Sequence, residues 1–234
     1  MEKLSREKAY RQYRSNPAAF FNGRIHLNSA NESDLIHPDW SKYWTKYHYN
    51  LVENGILEIL HEQKKAERKL SVLDVGVGTG HWIEFYSSLF YIERMVGVDF
   101  CQPPLEKLKE KKLDRKISLL SWDISAKVPK RLQSMQFDVV NAIGVIFHIV
   151  DDAKWENAIK NLFSLLKPEG ILIVGGDFGN ETKERGVMRK SRSLEMWLDL
   201  LNQLNGKVVA VKRYNWWAGA DNNGITDNLL AIQK

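Results

Sequence analysis

The stretch VLDVGVGTGHW, residues 72–82, carries an apolar segment that begins at Leu70 into a glycine-rich turn, and a helical pattern opens at His81. A second short apolar run, Met95 to Val98 in MVGVDF, ends on the carboxylate of Asp99. A strand that feeds a glycine loop and a helix is a nucleotide-binding layout. Glycines let the backbone approach a ligand closely, and the N–H groups at a helix start attract an anion. A carboxylate at the tip of the next strand can grip the two hydroxyls of a ribose.

Spacing separates the candidate nucleotides. A dinucleotide fingerprint reads G-x-G-x-x-G. Counted from Gly76 and Gly78, its third glycine belongs at position 81, where His81 stands. A phosphate-cradling P-loop is excluded because no G-K-[ST] closes the turn. The order from Asp74 to Gly80 is D-x-G-x-G-x-G. That form resembles motif I of the class I S-adenosylmethionine-dependent methyltransferases, whose ligand offers an amino acid end, a sulfonium and an adenosine. The resemblance implies that Asp74, Gly76, Gly78 and Gly80 hold the amino acid end, directly or through water.

Three further segments match in family order and at family spacing. Asp99 fits the ribose-binding acid, with Phe100 beside it. Asp123, in LLSWDIS after a third apolar run, fits the acid that contacts the adenine amine, with Trp122 and Ile124 beside the ring. FDVVNAIGVIFHIVDD, residues 137–152, resembles the fourth strand and the loop behind it, and adds Ala142 to the cofactor-binding residues. The resemblance covers roughly residues 50–234. It implies an α/β fold with a doubly wound, Rossmann-like sheet of seven strands in the order 3-2-1-4-5-7-6. Strand seven is reversed, helices cover both faces, and an N-terminal helical cap or lid over 1–50 precedes a methyltransferase domain over 51–234. S-adenosyl-L-methionine is the implied cofactor.

Composition bounds the rest. The 234 residues fit one domain with some extra material, and 44% hydrophobic content is ample for a core. The single cysteine, Cys101, excludes an internal disulfide framework and suits a reducing compartment. No apolar run approaches the roughly 20 residues of a membrane span, and the start, MEKLSREK, lacks the apolar stretch of a signal peptide. These features predict a soluble, cytoplasmic protein. A net charge of +5 permits nucleic acid as a partner without demanding it. One basic stretch stands out, with Lys183, Arg185, Arg189, Lys190 and Arg192 against Glu181 and Glu184. It follows the fifth strand at the ligand edge, where it can attract an acidic substrate or form a solvated loop; the loop is the favoured reading.

Apolar periodicity predicts strands near 70–75, 94–99, 116–121, 136–141 and 170–176, and helices near 80–90, 102–112, 152–166 and 191–204. Asp151 or Asp152 should cap the helix that carries Trp155, and Lys167 to Gly170 should end it. Lys207 to Tyr214 and Thr226 to Ile232 read as an antiparallel strand pair. A polar helix over 3–14 and an irregular stretch over 15–38 precede a long helix from about Asp39 to Gln63, with Asp39 as its cap.

Methyl transfer from a sulfonium is an in-line displacement, so the protein must mainly align the acceptor and exclude water. A hydroxyl acceptor gains typically 10²–10⁴-fold from a general base, whereas a carboxylate or an unprotonated amine needs none. His148, after the fourth strand, is the one histidine placed for that role. Many small-molecule O-methyltransferases carry L-H-x-x-x-D here; this chain has Phe147 in place of the leucine. Packing against the cofactor is the competing role for His148. The acceptor pocket should draw on Tyr43, Tyr47 and His48 before the sheet and on Trp216 and Trp217 in a polar loop, while Trp40, Trp44 and Tyr47 read mainly as packing. Tyr10, Tyr13 and Arg14 are lid candidates by position. No histidine shows metal-ligand spacing, so no metal site is expected.

The leading expectation is therefore transfer of a methyl group to a small organic acceptor, with oxygen slightly ahead of nitrogen. A nucleic-acid or protein methyltransferase is the second reading. Against it, the fourth strand ends NAIG, not [DN]-P-P-[YF], and no Pro-Cys nucleophile occurs. A cofactor-binding regulatory protein without methyl transfer is the third.

Overall fold

A computed structural model describes residues 42–179, 181–185, 189–214 and 226–234, together with Asn16. The chain begins its described part with helix α1 (Lys42–Glu62) and enters strand β1 (Leu70–Val75). There follow α2 (His81–Leu89), β2 (Ile92–Asp99), α3 (Gln102–Glu110), β3 (Ile117–Ser121), a short α4 (Lys130–Gln133) and β4 (Phe137–Ile143). A 3₁₀ turn (Ile146–His148) leads to α5 (Asp152–Ser164) and β5 (Leu166–Gly179). A hairpin of β6 (Lys183–Arg185) and β7 (Arg189–Ser193), then α6 (Leu194–Gln203), β8 (Lys207–Arg213) and β9 (Thr226–Gln233) complete it. The residues expected as a polar N-terminal helix, the Asp39 cap, Trp40, and the loop with Trp216 and Trp217 lie outside the described residues. Residue 50 falls inside α1.

β1 is buried along its whole length and pairs in parallel with β2 on one edge and β4 on the other. Burial on both faces explains its near-continuous apolar run. The main sheet runs β3-β2-β1-β4-β5-β9-β8, and β9 is antiparallel to both β5 and β8. This is the expected seven-strand order, with β8 and β9 as the sixth and seventh strands of the family. Two apolar layers sandwich the sheet. One packs Leu73, Val96, Val140 and Leu172 against Trp155 and Leu162 of α5 and Trp197 and Leu200 of α6. The other packs Val72, Met95, Val139 and Ile173 against Ile56 of α1, Trp82 and Tyr86 of α2 and Leu105 of α3.

The basic stretch after β5 is not a plain solvated loop. β6 and β7 pair there as an antiparallel hairpin. β9 occupies one edge of β5 as far as Phe178, while the other edge pairs with β4 up to Gly175 and with β7 at Phe178 and Gly179. The hairpin therefore takes over the edge that β4 vacates and stands above the end of β4. Arg192 is what fastens it. Its side chain is buried, with Nε donating to Asp152 Oδ1 at 3.0 Å, NH2 donating to the Ile149 carbonyl at 2.7 Å, and the guanidinium lying 4.7 Å from the Trp155 ring centre. Lys190 reaches the other Asp152 oxygen at 2.7 Å. The two acids thus divide the work. Asp151 caps α5 by accepting from the Lys154 N–H, and Asp152 anchors the hairpin.

α5 ends at Ser164, and β5 already begins at Leu166, so Lys167 to Gly170 lie in the strand and do not terminate the helix. The register between β4 and β5 slips there, and Glu169 takes φ 59.

Candidate functional site

The glycine turn is stitched to the end of β2. Gly76 and Val77 both donate to the Val98 carbonyl, at 2.7 and 3.2 Å, and Gly78 N–H donates to Asp99 Oδ2 at 3.2 Å. Gly76 has φ 72 and Gly80 has φ 92, in the left-handed region that side chains disfavour. A Cβ on Gly76 would collide with Val145, from the loop after β4. Gly80 caps α2 without any side-chain hydrogen bond, which leaves the first-turn N–H groups for a ligand or water.

Asp74 lies fully buried beneath this turn. The strand register sets it beside Asn141 of β4, whose Nδ2 donates to Asp74 Oδ1 at 2.8 Å. Tyr86 OH donates to Asn141 Oδ1 at 3.4 Å and completes a buried polar chain. Asp74 Oδ2 has no hydrogen-bond partner. Burial pushes the Asp74 carboxyl up to about 7; the Asn141 bond opposes the shift and the Asp99 charge adds to it. Asn141 was not among the expected site residues. A lone amide inside the apolar FDVVNAI run was the signal that could have found it.

Asp99, nearly buried, turns Oδ1 to the Cys101 N–H at 2.9 Å. Burial raises its carboxyl, against the opposing backbone bonds. Phe100 beside it is 37% exposed and offers an aromatic face at the end of β2. Asp123 is exposed and accepts from Ser125 N and Oγ, at 2.9 and 2.8 Å. Its neighbours Trp122 and Ile124 are buried within the apolar layer on the α5 face, and Asn161 of α5 ties down the Ile124 and Ala126 carbonyls. Ala142 is buried at the end of β4. The structure thus gathers Asp74, the glycines, Asp99, Phe100 and Asp123 at the carboxyl ends of β1, β2 and β3, with Trp122 and Ile124 packed beneath.

Across the glycine turn, Gly144 follows β4 with φ 76, and a Cβ there would meet nothing within 4 Å. The next residues, Val145 to His148, form the 3₁₀ turn and its cap. His148 closes the 3₁₀ turn half-buried, with its ring 4.5 Å from that of Phe147. Arg189 of β7 sets its guanidinium 4.5 Å from the Phe147 ring centre. His48 of α1 packs edge-on against Tyr214 at 5.5 Å. Burial first, and the Arg189 charge second, push His48 down to about 4, so it is neutral at physiological pH.

Tyr43 and Tyr47 stack at 6.3 Å, and Trp44, expected as packing, is 46% exposed beside them. Tyr49 stacks on His81 at 3.5 Å, and His81 Nε2 lies 2.9 Å from Glu53 Oε1. Burial lowers His81 to about 4, with Lys46 adding to it, so this imidazole is also neutral. His81 and Tyr49 thereby join α1 to the start of α2. Among the described residues, no group of three His, Cys, Asp or Glu side chains could hold a metal ion, and no helix is long and apolar enough to cross a membrane.

The residues present suit S-adenosylmethionine. The left-handed glycines bring the backbone close, the helix start offers N–H groups to a carboxylate, and Asp74 keeps an unpartnered oxygen below. Asp99 and the exposed Phe100 stand where a ribose and a flat base would follow.

Known proteins agree with this geometry. Residues 72–170 match the family model described as a methyltransferase domain. The tRNA N(3)-methylcytidine methyltransferase trm140 of Schizosaccharomyces pombe is 26% identical over 187 residues, 73% of this chain and 59% of that protein. The malonyl-[acyl-carrier protein] O-methyltransferase of Bacillus anthracis is 28% identical over 130 residues, 55% of this chain and 45% of that protein. The chain thus spans about half the length of the curated relatives it matches. Among solved structures, the 1,6-didemethyltoxoflavin-N1-methyltransferase of Burkholderia thailandensis, with bound 1,6-didemethyltoxoflavin and S-adenosylhomocysteine, superposes with a TM-score of 0.65 at 16% identity, covering 100% of this chain and 92% of the other. Residues 72–170 thus match a methyltransferase domain, and the motif and strand order are similar to those of the class I S-adenosylmethionine-dependent methyltransferases.

Proposed function

We propose that the chain transfers the methyl group of S-adenosylmethionine to a small organic acceptor seated over Gly144, with oxygen favoured over nitrogen. The observation that carries the reading is the open space at Gly144, which is followed in the chain by Val145, set against Gly76 of the glycine turn, and by the 3₁₀ turn that ends at His148. The cofactor, when bound, supplies a methyl group already activated on a sulfonium. The chain's own part is alignment and exclusion of water, which can supply several kcal/mol. An acceptor oxygen forms its bond to the methyl carbon as the carbon–sulfur bond breaks, and the bonding pair stays on sulfur, leaving S-adenosylhomocysteine. His148 takes the proton if the acceptor is a hydroxyl. Tyr43 and Tyr47 are the proposed acceptor contacts on α1; Trp216 and Trp217, and most of the cap expected over 1–50, lie outside the described residues. A cytoplasmic location, in keeping with the lone thiol Cys101, belongs to the same proposal.

Calorimetry with S-adenosylhomocysteine, then methyl-labelled cofactor with a panel of low-molecular-weight hydroxyl, amine and carboxyl acceptors, tests the reading. With a hydroxyl acceptor, His148→Ala should slow single-turnover methylation roughly 10²–10⁴-fold, with cofactor affinity unchanged. An unchanged chemical step at all pH values removes the base role. A folded protein that binds neither S-adenosylmethionine nor S-adenosylhomocysteine sinks the whole proposal.

A second reading, methylation of RNA, is favoured by the likeness to the tRNA methyltransferase over 187 residues and by the net charge of +5. RNA affinity that falls steeply as salt rises, with no small acceptor used, would replace the first reading.

A further inference from the structure

Three wholly buried polar side chains interrupt the apolar layer on the α2 face of the sheet: Asp74 of β1, Asn141 of β4 and Tyr86 of α2. The pleat turns Asp74 to the side of Val72, and Asn141 to the side of Val139 and Ile143, and the β1–β4 register sets the two opposite each other. We propose that Asn141 is a positioning residue for the cofactor: it pins one oxygen of Asp74 and leaves the other for the ammonium of the amino acid end, which displaces a proton from Asp74 as it binds. This rests on the cofactor reading above and goes beyond it in the role of Asn141 and in the proton.

The polar chain has one direction. An ionised carboxylate only accepts, so Asn141 must present Nδ2 to Asp74 Oδ1, at 2.8 Å. The amide oxygen then faces Tyr86, whose OH donates to it at 3.4 Å. The chain stops at Asp74 Oδ2, buried and without a hydrogen-bond partner. A buried polar network with one bare end is less stable than apolar side chains of the same volume. The bare end is an acceptor, so what completes it is a donor.

The residue type at 141 is the second support. A leucine would fill the same space without a donor and leave both Asp74 oxygens bare. A lysine or arginine would neutralise Asp74 and leave no charge for a ligand. An amide holds one oxygen and adds no charge. The other groups that act with the Asp74 carboxyl are Asp99 on β2, whose charge raises it, and Tyr86 on α2, whose hydroxyl is itself pushed up by burial and then by the Asp74 charge. Neither is a cation, so the counter-charge is left to a ligand.

Placement is the third. Asp74 stands two residues before Gly76, and the turn above it ends at α2, where Gly80 makes no side-chain cap. Free N–H groups at the helix start suit a carboxylate, and a buried carboxyl below suits an ammonium, reached directly or through one water. The amino acid end of the cofactor carries both groups.

The proton follows from burial, which pushes Asp74 up to about 7, so at lower pH the free protein holds a proton there. An arriving ammonium keeps its own protons and favours the carboxylate, so the Asp74 proton passes to solvent. Release is present below about 7 and fades above it. Affinity should rise with pH over the same window, by up to about tenfold per unit.

Calorimetric titration with S-adenosylhomocysteine, repeated at each pH in two buffers of different ionisation enthalpy, counts the protons released. The unaltered protein should release about one proton per ligand at pH 6 and little at pH 8. 5′-Deoxy-5′-methylthioadenosine, which lacks the amino acid end, should release none. Asn141→Leu removes the bond that opposes burial. It should weaken S-adenosylhomocysteine about tenfold at pH 7 and carry proton release to higher pH, with methylthioadenosine affinity unchanged. Tyr86→Phe keeps the ring packing and should act in the same direction to a smaller degree, so it tests the chain even if Asn141→Leu does not fold. Absence of proton release at pH 6, or a loss of affinity shared equally by the two ligands, overturns the proposal. Failure of S-adenosylhomocysteine to bind the unaltered protein overturns the cofactor reading instead, so the two failures are distinguishable.

Discussion

The β1–β3 half and the β4–β5 half of the sheet's carboxyl edge are held together by different means. On the first half backbone N–H groups donate most of the bonds, above the buried Asn141–Asp74 side-chain bond. Gly76 donates to Val98, Gly78 and Cys101 to the Asp99 carboxylate, and Trp122 to the Asp99 carbonyl at 3.0 Å. On the second half the wall is drawn from residues 48, 147, 189 and 214, and its contacts are rings and a guanidinium. A site made from backbone fixes a ligand whose shape never changes. A wall made from side chains can be altered residue by residue without disturbing the first. Cofactor affinity and acceptor choice should therefore be separable in this protein.

The largest expected effect lies at the one fully buried carboxyl on the backbone-built side. The folded protein holds the Asp74 proton to about 7, against 3.8 for the free group, mainly through burial. Between those values the folded state binds more protons than the unfolded chain, so the contribution is greatest at low pH and is lost as pH rises toward about 7. The full loss is up to about 4 kcal/mol. Asp74→Asn removes the titration. Its unfolding free energy in urea should decline less between pH 4 and 8 than that of the parent, while S-adenosylhomocysteine binds more weakly. Parallel pH slopes would mean that Asp74 ionises at an ordinary value, and the buried anchor of the cofactor side would lose its physical basis.

A second prediction probes the seam between the halves. Gly76→Ala forces a side chain into φ 72, at about 1–2 kcal/mol, and drives its Cβ into Val145, at about 1–3 kcal/mol. S-adenosylhomocysteine affinity should fall about 100-fold. Adding Val145→Ala should recover about tenfold of that, because it relieves the overlap but not the dihedral. No recovery would show that the two halves do not meet at this contact.

The same contrast explains what could be read in advance. The placement of Asp74, the three glycines and Asp99 at one sheet edge was legible because it follows from backbone geometry within thirty residues of chain, and the strand order followed from the resemblance. Long-range partners were not legible. Asn141 reaches Asp74 only because β4 pairs with β1, 67 residues away. Arg189 stood out merely as one cation in a basic run. The hairpin that lifts it onto Phe147 depends on β5 running to Gly179, past the end of β4, and no local periodicity marks that extension. Trp122 and Ile124 show the converse limit. Their proximity to Asp123 in sequence suggested a shared ligand; in the segment that follows β3 they are buried in the core while Asp123 is exposed.

The smallest expected effect sharpens the comparison from the far end of β1. At the amino edge of the sheet Asp138 accepts from Ser71 N and Oγ, at 2.8 and 2.7 Å, and from Lys167 Nζ at 2.8 Å. Burial raises its carboxyl, but these bonds outweigh burial and hold it below the ordinary range. Its contribution is therefore present above that range and lost as pH falls through it, the opposite sense to Asp74. Lys167 is a third exposed, so solvent screens the pair, and Asp138→Asn should cost about 1 kcal/mol near neutral pH, less in acid. S-adenosylhomocysteine affinity should stay unchanged, because Ser71 and Asp74 sit at opposite ends of one strand, and only the latter faces the cofactor turn. An affinity loss matching the stability loss would mean that β1 transmits strain along its length. The cofactor side would then depend on long-range side-chain bonds as much as the acceptor side does, and the separation between the two halves would fail.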